Sequence, residues 1–323
     1  MKKIKIFKFG GGVLKDPQSL YQLLSIAKKE KPEVIVVSAM GKTTNALKNL
    51  AEGYINDDKN LINYSFEEID KYNGSLIRSI WMSKESEKSE VKTIYNSYIE
   101  FLKKLTSSKP FCNSPEMIYD RIMVLGEIIS SVIVSQFLSE NLNKNLLLIR
   151  ADDFIITDMN FGSANVMIDE SIKRFKNSVF AKELKQGRPL ITQGFIGRSA
   201  TDLSFNQSDF IFDGPTTLGR ESSDYSASLI ARLIVNSRLA IVEGVTLWKD
   251  VDGVANRDPK EKTDQPLFYL SSMSYNDFRL QIAHGGSAEG LVHPKTLNEL
   301  EPYKIPLRIK SFWSPDTAGT LIS

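Results

Sequence analysis

Short apolar runs of strand length alternate with helical patterns along most of this sequence. Residues 3–9 alternate in polarity and lead directly into Gly10-Gly11-Gly12, and Asp16-Pro17 then marks a helix start. Residues 34–37 form a continuous apolar run, which is typical of a strand buried in a parallel sheet. Because parallel strands need crossover connections that are usually helical, this alternation predicts an α/β fold with a mostly parallel sheet.

The rest of the chain can be divided into predicted strands and helices in the same way. Residues from about 50 to 115 show helical periodicity only, and we interpret them as a helical insertion. A hairpin that projects from the sheet is predicted at 195–213. Further strands are predicted at 146–149, 189–196, 239–242 and 305–309, and further helices near 122–138, 163–176, 223–235 and 274–283.

Length and charge exclude several classes of protein. At about 150 residues per domain, 323 residues suggest two domains or lobes. The 41 Lys and Arg residues against 39 Asp and Glu residues give a net charge of +2, which argues against a nucleic-acid surface. Cys112 has no partner for an internal disulfide, and the sequence shows neither a signal-peptide pattern nor a long uninterrupted apolar run. We therefore expect a cytoplasmic protein that does not bind membranes.

The strongest local motif is Lys8-Phe9-Gly10-Gly11-Gly12 at the end of the first strand. Glycines let backbone N–H groups approach an anion closely, and phosphate often binds where a strand end faces a helix N-terminus. The alternative is a flexible turn beside a surface lysine. Two standard nucleotide fingerprints fail, because Lys15 and Val36 stand where they require glycine.

Two further motifs carry charge in unusual places. Arg220 lies just before a predicted helix, where a guanidinium could bind a carboxylate or phosphate, although Ser222, Ser223 or Asp224 could simply cap that helix. Glu127 lies in an apolar helical stretch and is either ion-paired in the core or directed into a cleft toward a cationic group.

The segment 249–260 is either a polar loop with Asp-Gly and Asp-Pro turns or a nucleotide loop with magnesium near the phosphates. His284 and His293 lack the accompanying residues of a zinc site or of a Ser-His-Asp triad. No metal-binding residues are therefore assigned.

Taken together, these segments resemble the catalytic domain of aspartokinases, in the amino-acid kinase superfamily. The match is collinear over nearly the whole chain outside the insertion. The matching segments are 8–11, 36–47, 126–127, 191–197, 216–225, 250–260, 293–296, 305–309 and 319–322.

The resemblance implies a three-layer α/β/α sandwich with a mainly parallel sheet, the amino-acid kinase-like fold. It implies one domain over 1–323, with an aspartate lobe at about 1–213 that includes the insertion and a nucleotide lobe at about 214–323. No ACT regulatory domain is expected within the sequence. A homodimer is an expectation from the family.

The resemblance also implies the roles of individual residues. Lys8 and Asp224 match catalytic positions of the family. Positions matching its aspartate site are Thr44, Glu127, Arg220 and Ser223, with Glu127 meeting the α-ammonium and Arg220 a carboxylate. Positions matching its nucleotide site are Lys8, Gly10, Gly11, Gly12, Lys249, Asp250, Asp258 and Lys260.

The implied reaction is phosphorylation of the β-carboxylate of L-aspartate by ATP with Mg²⁺, which gives 4-phospho-L-aspartate, the first step toward lysine, threonine and methionine. The sequence departs from the family pattern in four places. Gly12-Val13 replaces Thr-Ser, Glu221-Ser222 replaces two glycines, and Ala255 and Gly290 replace a tyrosine and a lysine. The alternative is a non-catalytic homologue that binds aspartate or nucleotide as a partner or sensor.

Overall fold

The computed structural model describes residues 1–81, 90–110, 112, 114–142, 146–200, 214–258, 266–283 and 286–323. The strands are β1 (Lys3–Phe9), β2 (Val34–Val37), β3 (Leu147–Leu148), β4 (Ile156–Thr157), β5 (Leu190–Gln193), β6 (Ile196–Ser199), β7 (Pro215–Thr217), β8 (Ile241–Lys249), β9 (Ser272–Met273), β10 (Leu307–Ser311) and β11 (Thr320–Ile322). The helices are α1 (Pro17–Glu30), α2 (Thr43–Ile55), α3 (Lys59–Ile69), α4 (Ser75–Trp81), α5 (Glu90–Thr106), α6 (Pro115–Leu142), α7 (Ile168–Lys176), α8 (Val179–Lys185), α9 (Ser223–Asn236), α10 (Tyr275–Ala283) and α11 (Lys295–Leu300).

The main sheet has the strand order β3-β5-β2-β1-β8-β10-β11-β9. Its pairings are parallel except for the antiparallel pair β10–β11. A smaller sheet has the order β4-β6-β7. The predicted α/β class and mostly parallel sheet are therefore confirmed.

Alternate side chains of the central strands pack on opposite sides of the main sheet. Ile4 and Ile6 of β1 lie in one core cluster, which includes buried residues of α9 and α11. Phe7 and Phe9 lie in another, which includes residues of α1 and α6. Since successive side chains of a strand point to opposite faces, this distribution makes the three layers of an α/β/α sandwich.

Helix α1 begins where the sequence predicts. The Asp16 carboxylate accepts a hydrogen bond from Ser19 N at 2.8 Å, and Ser19 Oγ accepts one from Asp16 N at 3.1 Å. This reciprocal capping box, with Pro17 at the first helical position, satisfies N–H groups that the helix itself leaves free.

The described residues of the predicted insertion are mostly helical and contain α3, α4 and α5, with a π-helical turn at Asp70–Gly74. It packs against α6, which has the length and hydropathy of a membrane span. However, 83% of the most apolar window of α6 is buried inside the fold, as in a core helix.

Several predicted boundaries are wrong. The strand predicted at 239–242 continues to Lys249, because its backbone pairs with both β1 and β10. The helix predicted at 163–176 begins only at Ile168, after a loop in which Asp158 accepts hydrogen bonds from Asn160 and Asn165. The predicted hairpin pairs β6 with Pro215–Thr217, whereas 201–213 lie outside the described residues.

Candidate active site

A cleft of about 590 Å³ opens at the carboxyl ends of β1 and β8. This is the edge at which ligands bind in open α/β sheets. The residues lining it are Lys8, Gly10, Gly11, Gly12, Val13, Ser38, Ala39, Gly41, Thr44, Asn45, Lys48, Tyr119, Met123, Glu127, Phe195, Arg220, Glu221, Ser223, Asp224, Trp248, Lys249, Asp250, Gly290, Leu291 and His293.

Two lysines share one carboxylate at the floor of this cleft. Lys8 Nζ lies 2.7 Å from Asp224 Oδ1, and Lys249 Nζ lies 2.7 Å from Asp224 Oδ2. Lys8 and Lys249 stand at the ends of adjacent parallel strands, and Asp224 is in the first turn of α9. The fold thus places two cations around one anion.

Burial and charge act against each other in this group. Burial lowers the pKa of Lys8, and the Lys249 ammonium adds to that effect, whereas Asp224 opposes it. Burial alone would raise the pKa of Asp224, but the ammonium groups of Lys8 and Lys249 hold it below its ordinary value. Asp224 is therefore a carboxylate at neutral pH, and the three groups carry a net positive charge when both lysines are protonated.

The glycine loop after β1 packs closely on the loop after β2. A Cβ on Gly11 would lie 2.2 Å from the Ala39 carbonyl oxygen, so a side chain there would force the two loops apart. Gly41 N donates hydrogen bonds to Gly11 O at 3.2 Å and to Leu14 O at 2.8 Å. The flexible-turn alternative does not describe this tightly packed loop.

Glu127 resolves the choice that the sequence leaves open, because it is directed into the cleft. Its carboxylate accepts a hydrogen bond from Ala39 N at 3.3 Å, and it has no ion pair among the described residues. Burial raises the pKa of Glu127 to about 8, which the hydrogen bond and the nearby Lys8 only partly offset. A cation that binds beside such a carboxyl group favours loss of its proton, because the positive charge stabilises the carboxylate.

Arg220 lies between two residues with left-handed backbone conformation. Gly219 has φ +90° and Glu221 has φ +58°, so the chain turns sharply on both sides of the guanidinium. Ser222 stands at the N-cap of α9, yet its hydroxyl makes no capping hydrogen bond, and the Asp224 carboxylate bonds to the lysines instead. The capping interpretation of Ser222 and Asp224 is therefore wrong.

The structure brings most of the predicted site residues together. Those that line the cleft are Lys8, Gly10, Gly11, Gly12, Thr44, Glu127, Arg220, Ser223, Asp224, Lys249 and Asp250. Asp258 does not line the part of the cleft formed by described residues, and Lys260 lies outside the described residues. Lys249 is the last residue of β8 and not part of a loop.

Sequence reasoning missed several residues that line the cleft. Tyr119 and Met123 precede Glu127 on α6 by eight and four residues, so helical periodicity could have placed them on its face. His293 stacks on Tyr225 with ring centroids 5.7 Å apart, and no local pattern signals this.

Gly290 stands where the resemblance to the family implies a lysine. It has φ +67°, and a Cβ there would meet no other atom within 4 Å.

The chain is similar to a known protein family and to solved structures. The model of the amino acid kinase family matches residues 3–311. The structure of E. coli aspartokinase III, solved in complex with aspartate and ADP, superposes with a TM-score of 0.81 at 22% identity, covering 99% of this chain and 64% of that one. This likeness shows the fold.

Curated relatives extend the comparison to sequence. The bifunctional aspartokinase/homoserine dehydrogenase of Buchnera aphidicola is 28% identical over 328 residues, covering 99% of this chain. The aspartokinase of Chlamydia pneumoniae is 26% identical over 323 residues, covering 100% of this chain. The chain spans 36% of the first relative and 63% of the second. The predicted resemblance to aspartokinase catalytic domains is thus confirmed, and with the family model matching residues 3–311 the chain belongs to the amino acid kinase family.

Proposed function

We propose that this protein is an aspartate kinase, which transfers the γ-phosphoryl group of MgATP to the β-carboxylate of L-aspartate. The observation that carries the proposal is the pair of lysines, Lys8 and Lys249, held at 2.7 Å from Asp224 on the floor of the cleft. We propose aspartate and a nucleotide as the substrates because the related E. coli aspartokinase III was solved in complex with aspartate and ADP.

The acceptor is bound through its charged α-groups. Glu127 takes the α-ammonium and Arg220 the α-carboxylate, while Thr44 and Ser223 offer hydroxyl groups at the wall of the cleft. This arrangement leaves the side-chain carboxylate of aspartate free to point toward Lys8.

The main obstacle to the reaction is the approach of two anions, a carboxylate and a triphosphate. Lys8 and Lys249 offset this repulsion, and the amides of Gly10, Gly11 and Gly12 can donate hydrogen bonds to phosphate oxygens. A carboxyl group with a pKa of about 3.9 is already ionised at neutral pH, so its attack on the phosphoryl group needs no general base. Catalysis here consists of positioning and charge neutralisation.

The donor set fits a magnesium ion that arrives with the nucleotide. Asp224 and Asp250 face the cleft, and no group of three or more metal-binding side chains occurs among the described residues. Mg²⁺ usually keeps several waters and binds through phosphates with one or two carboxylates. When bound, it would neutralise phosphate charge.

The test measures ADP release with L-aspartate and MgATP, and traps the acyl phosphate with hydroxylamine. We expect aspartate-dependent turnover, and we expect Lys8→Ala to lower kcat by about 10²-fold or more because a preorganised charge is lost. Glu127→Ala should mainly raise the KM for aspartate. Turnover that is unchanged in both variants would contradict the proposal.

A non-catalytic binding protein is the second candidate, favoured by Gly290 and Glu221, which depart from the family pattern inside the cleft. It predicts calorimetric binding of L-aspartate or MgATP without any acyl phosphate.

A further inference from the structure

A buried carboxyl group on α6 has no place in the proposed reaction. Asp120 lies two turns before Glu127 and is 0% exposed. Its Oδ2 accepts hydrogen bonds from Gly162 N at 3.0 Å and from Thr217 N at 2.9 Å, and its Oδ1 accepts one from Thr217 Oγ1 at 2.5 Å. One side chain thus holds two separate segments of the chain.

Those two segments contact each other next to the turn that carries Arg220. Thr217 ends β7 three residues before Arg220, and its carbonyl accepts a hydrogen bond from Ala164 N at 2.8 Å. A Cβ on Gly219 would lie 3.0 Å from Ser163 Oγ, so the turn that carries Arg220 rests on the 158–165 loop. Asp120 therefore ties that loop and the Arg220 turn to the helix that carries Glu127.

No cation among the residues that the structure describes forms an ion pair with Asp120. Burial raises the pKa of Asp120 to about 6, and the hydrogen bonds from Thr217 and Gly162 only partly offset this. The nearest acid of the loop, Asp158, bonds to Asn160 and Asn165. β7 contributes no charged residue, and α6 contributes the flanking Tyr119 and Arg121.

The hydrogen-bond pattern does not require a charge. Both N–H groups bond to one oxygen, and the Thr217 hydroxyl can reverse to accept from a protonated Oδ1 or from an amide nitrogen. A neutral acid or an asparagine would therefore keep the same geometry.

We propose that Asp120 is a positioning residue, which sets the Arg220 turn relative to Glu127 and thereby the affinity for the acceptor, through hydrogen bonding and not through charge. This inference rests on the proposed function, in which Glu127 and Arg220 bind opposite ends of the α-amino acid group.

The experiment compares Asp120→Ala and Asp120→Asn with the unchanged protein. For Asp120→Ala we expect the KM for L-aspartate to rise about tenfold or more, with kcat and the KM for MgATP within about twofold, because binding and not chemistry is affected. Asp120→Asn should stay within about threefold of the unchanged protein in all three constants. Its amide oxygen can still accept from the two N–H groups, and its amide nitrogen can donate to the Thr217 hydroxyl.

A matched control removes a buried hydrogen bond at the opposite edge of the sheet. Tyr275→Phe loses the bond from the Tyr275 hydroxyl to Ile305 O, just before β10 begins. We expect it to lower thermal stability without changing the KM for L-aspartate. Should Asp120→Ala fail to fold, Thr217→Val removes only the hydroxyl, and it should raise the same KM by a smaller factor of about two to five.

The outcomes separate the two proposals. An unchanged protein that forms no acyl phosphate contradicts the aspartate kinase function itself. If the protein is active, the positioning role is overturned when Asp120→Ala, or Thr217→Val in its place, leaves the KM for L-aspartate unchanged. It is also overturned when the variant raises the KM for L-aspartate and the KM for MgATP equally. If Asp120→Asn raises the KM for L-aspartate as much as Asp120→Ala does, the explanation by hydrogen bonding is overturned.

Discussion

Glu127 shows how a single residue links stability to pH in this fold. Its pKa is raised to about 8 by burial, above the ordinary value of 4.5. The folded protein therefore keeps a proton that the unfolded chain loses, and the free energy of unfolding falls as pH rises from about 4.5 to about 8.

We predict that Glu127→Gln removes this part of the pH dependence. Urea unfolding at pH 6 and pH 8.5 should show a smaller loss of stability in Glu127→Gln than in the unchanged protein, because the amide carries no buried charge. The exposed Glu100→Gln, on α5, serves as the control and should keep the full dependence. An identical pH profile for Glu127→Gln and the unchanged protein would contradict the raised pKa.

Single residues also show what the sequence could predict about the site. Glu127 and Arg220 could be predicted from local signals. The charge of Glu127 interrupts an apolar helix, and the charge of Arg220 precedes the start of a helix. The pairing of Asp224 with both Lys8 and Lys249 had no local signal, because it depends on neighbouring strands that are distant in sequence. Asp120 escaped notice for the same reason, since its partners lie on β7 and the 158–165 loop.

At the scale of structural elements, the glycine loop after β1 has a strict steric requirement, because a Cβ on Gly11 would lie 2.2 Å from the Ala39 carbonyl oxygen. Gly11 faces the Ala39 carbonyl, and Ala39 N in turn donates to Glu127. A shift of this loop would therefore be transmitted to the acceptor side of the cleft.

We predict that Gly11→Ala destabilises the protein by about 1–3 kcal/mol, the usual cost of overpacking, and weakens binding of L-aspartate. Gly12→Ala is the matched control, because a Cβ at Gly12 would meet no other atom within 4 Å and its φ is not positive. Urea unfolding of both variants measures the difference. Equal stability of the two would mean that the loops separate without cost.

The elements themselves were predicted unevenly. The bounds of β1 and β2 are as expected, because alternating and continuous apolar runs are unambiguous over such short stretches. Residues 243–249 of β8 were not predicted, because Glu243-Gly244 interrupts the apolar run, although the backbone of β8 pairs on both sides. Pairing with neighbours, and not local composition, determines where this strand ends.

At the scale of the whole molecule, the core joins residues from distant parts of the chain. One cluster contains Ile4 and Phe154 together with Leu229 and Leu247. Another contains Trp81 of the helical insertion together with Trp248 of β8. The division into two lobes at about residue 213 stays a prediction, but the hydrophobic core runs across that position.

We therefore predict that the protein unfolds in one transition. Variants that keep only Trp81 or only Trp248, with phenylalanine replacing the other tryptophans, should give coincident thermal unfolding curves by fluorescence, because both residues share one core cluster. Loss of the Trp81 signal at a lower temperature than the Trp248 signal would show that the insertion unfolds by itself.

The position of β1 has a consequence for synthesis on the ribosome. β1 pairs with β2 about thirty residues later, but its other edge pairs with β8, and Lys3 and Ile241 are separated by 238 residues. Until β8 emerges, one edge of β1 has unpaired backbone groups, which can pair with another nascent chain. Translation speed between residues 38 and 240 therefore determines how long this aggregation-prone edge stays exposed in the cell.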